Sequence, residues 1–353
     1  MKNLFVLHTQ YTLALATGMI KNRFKNDQND LILFKDFALS EELKAKLDTV
    51  FTKTIYFEGT YPSINKSLRK RIRNYYYSIN QSKQFINTKY NRVFIVLDMN
   101  LPEIRMMKLA YKLNPEVNFI ALEDGSYPYF QNYVASGGLD SNILVRKFRK
   151  ILFKYLLGCG EFYSFEGRFM GANTWLKEIY LTYKDYSREI YKNKKKIEIT
   201  TDEFFAGISE LYASPNLMLD DNPIVLILDK LDVYKDIHRI GSLIKQIVHM
   251  YTTNHRTIYY KYHPREESKL NELSTCLELN RNIGIESYYQ LFRKSNATLI
   301  GIKSTGLQTA LKSGLKTTTI SKMVDEDNPD IDKFYKAIGV NSITTLDELN
   351  SIL

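Results

Sequence analysis

From its first residues the chain alternates short, wholly apolar runs with longer segments in which apolar positions recur every three or four residues. Residues 4–8 read as a buried strand and 11–24 as a helix. Residues 30–34 form a second strand, and the helix after it, 40–51, is capped at its amino end by its Ser40-Glu-Glu42 start. A third strand at 54–57 precedes a long basic helix at 66–85. The run Arg-Val-Phe-Ile-Val-Leu at 92–97 is a fourth strand, 102–113 a helix with Pro102 in its first turn, and 117–122 a fifth strand. Short apolar strands separated by helices predict a parallel sheet covered on both faces.

The pattern loosens over residues 127–220, which hold a basic stretch, an aromatic and glycine-rich stretch (158–168) and a helix at 202–212. This region reads as an elaboration of the first domain, contributing to an acceptor site or to membrane contact. A polar segment bracketed by Pro215 and Pro223 marks the join, giving domains 1–215, with the elaboration at 127–215, and 216–353. Alternation then restarts. Strands are expected at 224–228, 257–262, 283–285, 297–302 and 316–320, and helices at 236–251, 266–280, 287–295 and 305–313. From Asp325 the chain turns polar, with a terminal helix near 346–353. No sequence repeat links the halves, yet two similar α/β lobes follow one another. Two such lobes facing each other would make a cleft suited to a ligand.

At 353 residues the chain suits two domains, and its balance of 44% hydrophobic and 25% charged residues suits folded ones. Its two cysteines, Cys159 and Cys276, form no CxxC pair and suggest a reducing compartment without structural zinc. The apolar run at the amino end is too short for a signal peptide, and no stretch of about 18 apolar residues occurs, so a cytoplasmic protein is expected.

The net charge of +10 is concentrated at 66–73, 146–154 and 192–196. Nucleic acid, an anionic membrane face or an anionic nucleotide donor would each match it. No nucleic-acid module is recognisable, and nucleic acid is not an expected partner. The middle cluster interleaves cations with Ile151, Leu152, Phe153, Leu156 and Leu157, as an interfacial helix would, although a helix with one solvated basic face has the same pattern.

Chemistry collects at strand ends. The first domain closes its fifth strand with Glu123-Asp-Gly125. In the second, Asp229 and Asp232 follow one strand, and His263-Pro-Arg265 follows the β-rich run 257–262. Gly301-Ile-Lys-Ser-Thr-Gly306 leads a strand into a helix whose free N–H groups and hydroxyls suit a phosphate, with Lys303 adding charge. The GxxxxGK[ST] spacing of a Walker loop is absent. Each motif alone is ordinary chain punctuation. Their recurrence on successive strand ends brings them to one rim, where open α/β sheets bind ligands.

The ordered set Glu123-Asp124-Gly125, His263-Pro264 and Ser304-Thr305 resembles the acidic-glycine, His-Pro and Ser-Ser/Thr motifs of bacterial sialyltransferases. Within those, His263-Pro-Arg265, Ile285-Glu-Ser-Tyr288 and the opening Asn3-Leu-Phe-Val-Leu-His-Thr9 are similar to glycosyltransferase family 52, which includes lipooligosaccharide and capsule sialyltransferases. The resemblance covers the chain in outline, through short motifs whose order carries most of the specificity. It implies a GT-B fold, two Rossmann-like domains with parallel sheets facing a central cleft. It also implies inverting, metal-independent transfer of sialic acid from CMP-sialic acid, without a cofactor, to a galactose-terminated acceptor.

By the same resemblance His263 meets the departing phosphate, and Ser304 and Thr305 hold it. Pro264, Arg265, Lys303 and Gly306 belong to the same donor-binding stretches. Glu286 would accept hydrogen bonds from the cytidine ribose, and Asp232 would deprotonate the acceptor. The segment between Asp232 and His263 is longer than the family pattern, which leaves Asp229 and Asp236 as alternatives. Related families draw the base from the acidic-glycine motif, so Asp124 and Glu123 are rivals. The implied acceptor is a capsule or lipooligosaccharide glycan, lipid-linked at the inner face of the cytoplasmic membrane, which the basic surface would contact peripherally. A homodimer also counts among the expected assemblies. The alternatives are a GT-B enzyme using another nucleotide sugar and a non-enzymatic basic protein that binds polyanions.

Overall fold

The computed structural model describes residues 1–59, 67–130, 148, 151–163, 170–212, 215–231, 234, 236–263, 266–281, 283–324 and 328–352. The chain divides into two compact units, Met1–Leu211 and Tyr212–Leu353, a few residues before the join expected at 215/216.

In the first unit the order is β1 (Lys2–Leu7), α1 (Gln10–Asn22), β2 (Gln28–Lys35), α2 (Glu41–Val50), β3 (Lys53–Glu58), α3 (Leu68–Phe85), β4 (Arg92–Ile95), α4 (Leu101–Leu113), β5 (Asn118–Leu122), β6 (Leu176–Leu181), β7 (Lys195–Glu198) and α5 (Thr201–Leu211). The strands form one parallel sheet in the order β3-β2-β1-β4-β5-β6-β7. Buried rings lock its centre, with Phe5 stacked on Phe94 at 4.4 Å between centroids. The stretch expected to be an irregular elaboration supplies two further strands. Charged residues break up their apolar pattern, and Lys-Lys-Ile-Glu in β7 suits an outer strand that one neighbour covers.

Helix α5 closes back on α1 through two glycines. A Cβ on Gly18 would stand 1.8 Å from the Glu203 carbonyl oxygen, and one on Gly207 the same distance from that of Ala14. Arg23, at the end of α1, completes the contact by donating to the buried Glu203 carboxylate.

The second unit runs β8 (Ile224–Ile227), α6 (Ile237–Thr253), β9 (Ile258–Lys261), β10 (Leu277–Glu278), α7 (Tyr289–Lys294), β11 (Thr298–Gly301), α8 (Thr305–Lys312), β12 (Lys316–Thr319), α9 (Pro329–Ile338), β13 (Asn341–Ser342) and α10 (Leu346–Asn350). Its parallel sheet has the order β10-β9-β8-β11-β12-β13. Ile240, Ile244 and Ile247 on α6 share its core with Leu226, Tyr260 and Ile300.

Two expected elements are replaced. The helix predicted over 266–280 is instead a loop, a single tight turn at Asn271–Leu273 and β10. Its backbone partners are tertiary: Leu270 N–H donates to the Tyr262 hydroxyl at 2.6 Å, and the Glu266 carbonyl accepts from Arg281, whose guanidinium lies 4.2 Å from the Tyr262 ring centre. The strand predicted at 283–285 gives way to a tight helical turn, Ile285–Tyr288. Helix α9, unforeseen in the polar tail, carries its own signals: Asn328 caps it, Pro329 opens it, and Gly339 ends it at φ 98°.

Candidate active site

Strand register builds the site in the second unit. In the central trio β9-β8-β11, Lys261 pairs with Ile227, which pairs with Gly301. Two residues beyond each of these lie His263, Asp229 and Lys303. Three parallel strands thus deliver an imidazole, a carboxylate and an ammonium from equivalent positions at adjacent carboxyl ends. The chain leaves β8 toward β9 on one side and later returns to β11 on the other. That reversal is the topological switch point, where open α/β sheets bind ligands.

The Lys303 N–H donates to Asp229 Oδ2 at 3.0 Å, and the Tyr234 hydroxyl donates to the same oxygen. Burial raises the Asp229 pKa, against the lowering effect of the Tyr234 and Lys303 donors. Ser304 is the N-cap of α8, its hydroxyl accepting from Gly306 N–H at 3.2 Å. The Tyr335 hydroxyl donates to the Ser304 carbonyl at 2.9 Å, and the Tyr289 hydroxyl donates to that of Gly306, also at 2.9 Å. A Cβ on Gly306 would meet Ile227 Cδ1 at 3.2 Å and Ile285 Cγ2 at 3.4 Å, so glycine here lets α8 press against β8 and the 285–288 turn. That turn carries Glu286.

Glu286 is half-buried, and burial raises its pKa against the pull of the Lys261 ammonium. Lys261 was not foreseen as a site residue. It lies buried, its ammonium donating to the Arg281 carbonyl at 3.2 Å, and burial brings its pKa down to about 8 although Glu286 opposes this. Glu266 was likewise missed. It is buried and accepts from Leu231 N–H at 2.6 Å and Ser268 N–H at 2.7 Å, tying the loop after His263 to the loop after β8. Nothing in a sequence pattern separates such a carboxylate from a helix-opening one. Lys261 did leave a signal, a lone cation in the otherwise apolar run Ile-Tyr-Tyr-Lys-Tyr.

The candidate acids divide by environment. Asp236 caps α6, accepting from Arg239 N–H at 3.0 Å. Asp232, Pro264 and Arg265 lie outside the described residues. In the first unit Glu123 is 1% exposed and accepts from the Tyr11 and Tyr129 hydroxyls and from Thr182 N–H. That placement makes it a bracket joining β5 to the end of β6 and withdraws it from any acceptor hydroxyl. Its neighbour Asp124, half-exposed, accepts from the Thr9 hydroxyl at 3.2 Å beside the amino end of α1. Gly125 follows in the left-handed region at φ 62°, which turns the chain away after the acids.

On the same rim His8 lies fully buried between two carboxylates, Nδ1 at 2.8 Å from Asp36 and Nε2 at 2.5 Å from Glu103. Burial alone would lower its pKa, but Glu103 and Asp36 more than reverse this and raise it to about 9. Among the described residues no group of three or more side chains is arranged to hold a metal ion.

Two Rossmann-like domains, one sheet of seven parallel strands and one of six, define the GT-B fold that glycosyltransferases and sugar-nucleotide epimerases share. One solved structure similar to this chain is an α/β-galactoside α-2,3-sialyltransferase from Photobacterium phosphoreum, at 12% identity and TM-score 0.52, covering 100% of this chain and 99% of that one. A UDP-GlcNAc 2-epimerase from Methanocaldococcus jannaschii, in complex with UDP-GlcNAc and UDP, aligns at 12% identity and TM-score 0.56 over 99% and 91% of the two chains. The glycotransferase of kitacinnamycin aligns at 10% identity and TM-score 0.56 over 99% and 89%. No protein-family model and no curated protein sequence matches the chain.

Proposed function

We propose that the protein is an inverting, metal-independent sialyltransferase that moves sialic acid from CMP-sialic acid to a galactose-terminated glycan. The observation that carries this reading is the shared register of Asp229, His263 and Lys303, with the Ser304-capped helix behind them. The acceptor oxygen attacks the anomeric carbon as the bond from that carbon to the phosphate oxygen breaks, and CMP leaves with the electron pair. His263 hydrogen-bonds or protonates the departing phosphate. Ser304, Thr305 and the amino end of α8 stabilise its charge, with Lys303 adding positive field. Glu286 accepts from the ribose hydroxyls. A carboxylate takes the acceptor proton. Asp232 is the first candidate by family resemblance, and Asp124, partly exposed beside the amino end of α1, is the rival. A lone phosphate needs less charge neutralisation than a diphosphate, and this cation set supplies it without a metal.

The acceptor is a lipid-linked capsule or lipooligosaccharide chain, reached by peripheral attachment at the inner face of the cytoplasmic membrane. No helix among the described residues is long and apolar enough to cross a membrane, which suits peripheral attachment. Release of CMP from CMP-sialic acid in the presence of lactose tests the reaction. Absence of both transfer and hydrolysis across a set of galactosides would overturn the reading. The second reading, another nucleotide sugar as donor, draws support from the likeness, at the same 12% identity, to an epimerase in complex with UDP-GlcNAc and UDP. Thermal shifts with CMP, UDP and GDP separate the two: stabilisation by UDP or GDP alone favours the second.

A further inference from the structure

We infer that one surface of the first unit, made by α3 and the segment 151–156, docks onto an anionic lipid bilayer. The inference deepens the peripheral attachment proposed above and rests on it for its biological setting. Five large apolar side chains stand in solvent there, from Ile72 at 50% exposed to Leu156 at 75%, with Tyr76, Ile151 and Tyr155 between. A folded protein seldom leaves so many in one neighbourhood without a use.

They share a neighbourhood because both elements meet at α4. Arg105 and Lys108 of α4 donate to the Gly158 carbonyl, the latter at 2.7 Å, which anchors the end of the 151–156 segment. Tyr75 of α3 lies within electrostatic range of Arg105 and Cys159. Its ring is 5.3 Å from that of Tyr76. Ile72, Tyr75 and Tyr76 form one helical stripe at spacings of three and four, with Tyr75 as its inner edge toward the 151–159 segment. Tyr77 turns the other way, onto Phe57 of β3.

Charge selects the occupant. Arg69, Lys70, Arg71 and Arg73 are all exposed around Ile72. Lys154 sits within the second element, its ammonium 5.6 Å from the Tyr155 ring centre. A two-fold interface between copies would set the arginines of one face against those of the other. Nucleic acid would satisfy the arginines but leaves Ile72, Ile151 and Leu156 without a partner. A bilayer with anionic headgroups satisfies both sets, since apolar side chains enter the acyl boundary while the cations stay at the phosphates.

Sedimentation of the full chain with vesicles, without donor sugar, tests the surface. The protein should pellet with vesicles of phosphatidylcholine and phosphatidylglycerol, far less with phosphatidylcholine alone, and less as salt is raised. Tyr155→Ser with Leu156→Ser, and separately Arg69→Glu with Arg73→Glu, should each lower the bound fraction constant about tenfold or more while leaving thermal melting unchanged. Wild-type protein that ignores anionic vesicles overturns the inference, as does binding that neither variant weakens. Lipid-free self-association, or RNA binding, that both variants abolish while vesicle binding persists would assign the face to that partner and overturn it too. Vesicle binding needs no turnover, so its failure is distinguishable from failure of the sialyltransferase reading.

Discussion

The backbone N–H of Lys303 is bonded to the carboxylate of Asp229 at 3.0 Å, so the ends of β8 and β11 are joined across the switch point of the second sheet. The bond fixes where the Ser304-capped helix begins relative to the strand end that carries the first candidate base. Removing the carboxylate should therefore loosen the site as well as change its charge. Asp229→Ala is expected to cost about 1–3 kcal/mol in urea denaturation, the penalty for stranding a shielded donor. It should also weaken CMP binding in calorimetry. Unchanged stability would show that the bond does not hold the loop.

His263→Ala should lower turnover by about 100-fold or more if the imidazole serves the leaving phosphate. The change should appear in kcat, with the urea midpoint close to wild type. A rate within a few-fold of wild type removes His263 from the mechanism.

Ser304→Ala removes a helix cap and, under the proposed function, a phosphate ligand. Loss of the cap should cost about 1 kcal/mol. Loss of the ligand should raise the Kd for CMP more than that for cytidine, which lacks the phosphate. Equal loss for both ligands would assign Ser304 to the cap alone.

His8 makes a pH prediction. Its pKa is raised in the folded protein to about 9, above its ordinary value of 6.5. A raised value means that the folded state holds the proton more tightly. The stabilisation is therefore complete below pH 6.5 and is lost as pH rises through 9, on the order of 3 kcal/mol in all. In denaturation series across this window wild type should lose stability that His8→Gln, starting lower, does not. Parallel curves for the two proteins would refute the charged sandwich.

Gly18→Ala should strain the α1 and α5 crossing, because the added methyl meets the Glu203 carbonyl at 1.8 Å. Backbone must move to admit it, so a loss of about 1–3 kcal/mol or more is expected, readable as a lowered urea midpoint. Stability within a few tenths of wild type would contradict so close an approach.

The sequence by itself determined most of the strand and helix order, because each element announces itself within a dozen residues. Apolar runs gave β1 to β5, β8, β9, β11 and β12, and Ser40 and Pro102 marked helix starts within a residue or so. It also supplied the candidate residue types at strand ends. Tertiary structure decided which of them meet, since the order β10-β9-β8-β11-β12-β13 and its register are set by pairing between distant segments. It decided that Glu123 is a buried bracket while Asp124 is partly exposed beside the amino end of α1, although the two are adjacent in the chain. It turned the predicted helix at 266–280 into a loop, because the Tyr262 hydroxyl, the Glu266 carboxylate and the Arg281 guanidinium take up backbone groups that a helix would have paired with one another. Local spacing reports the face a side chain takes on its own element. What that face meets depends on contacts that only the folded chain brings together.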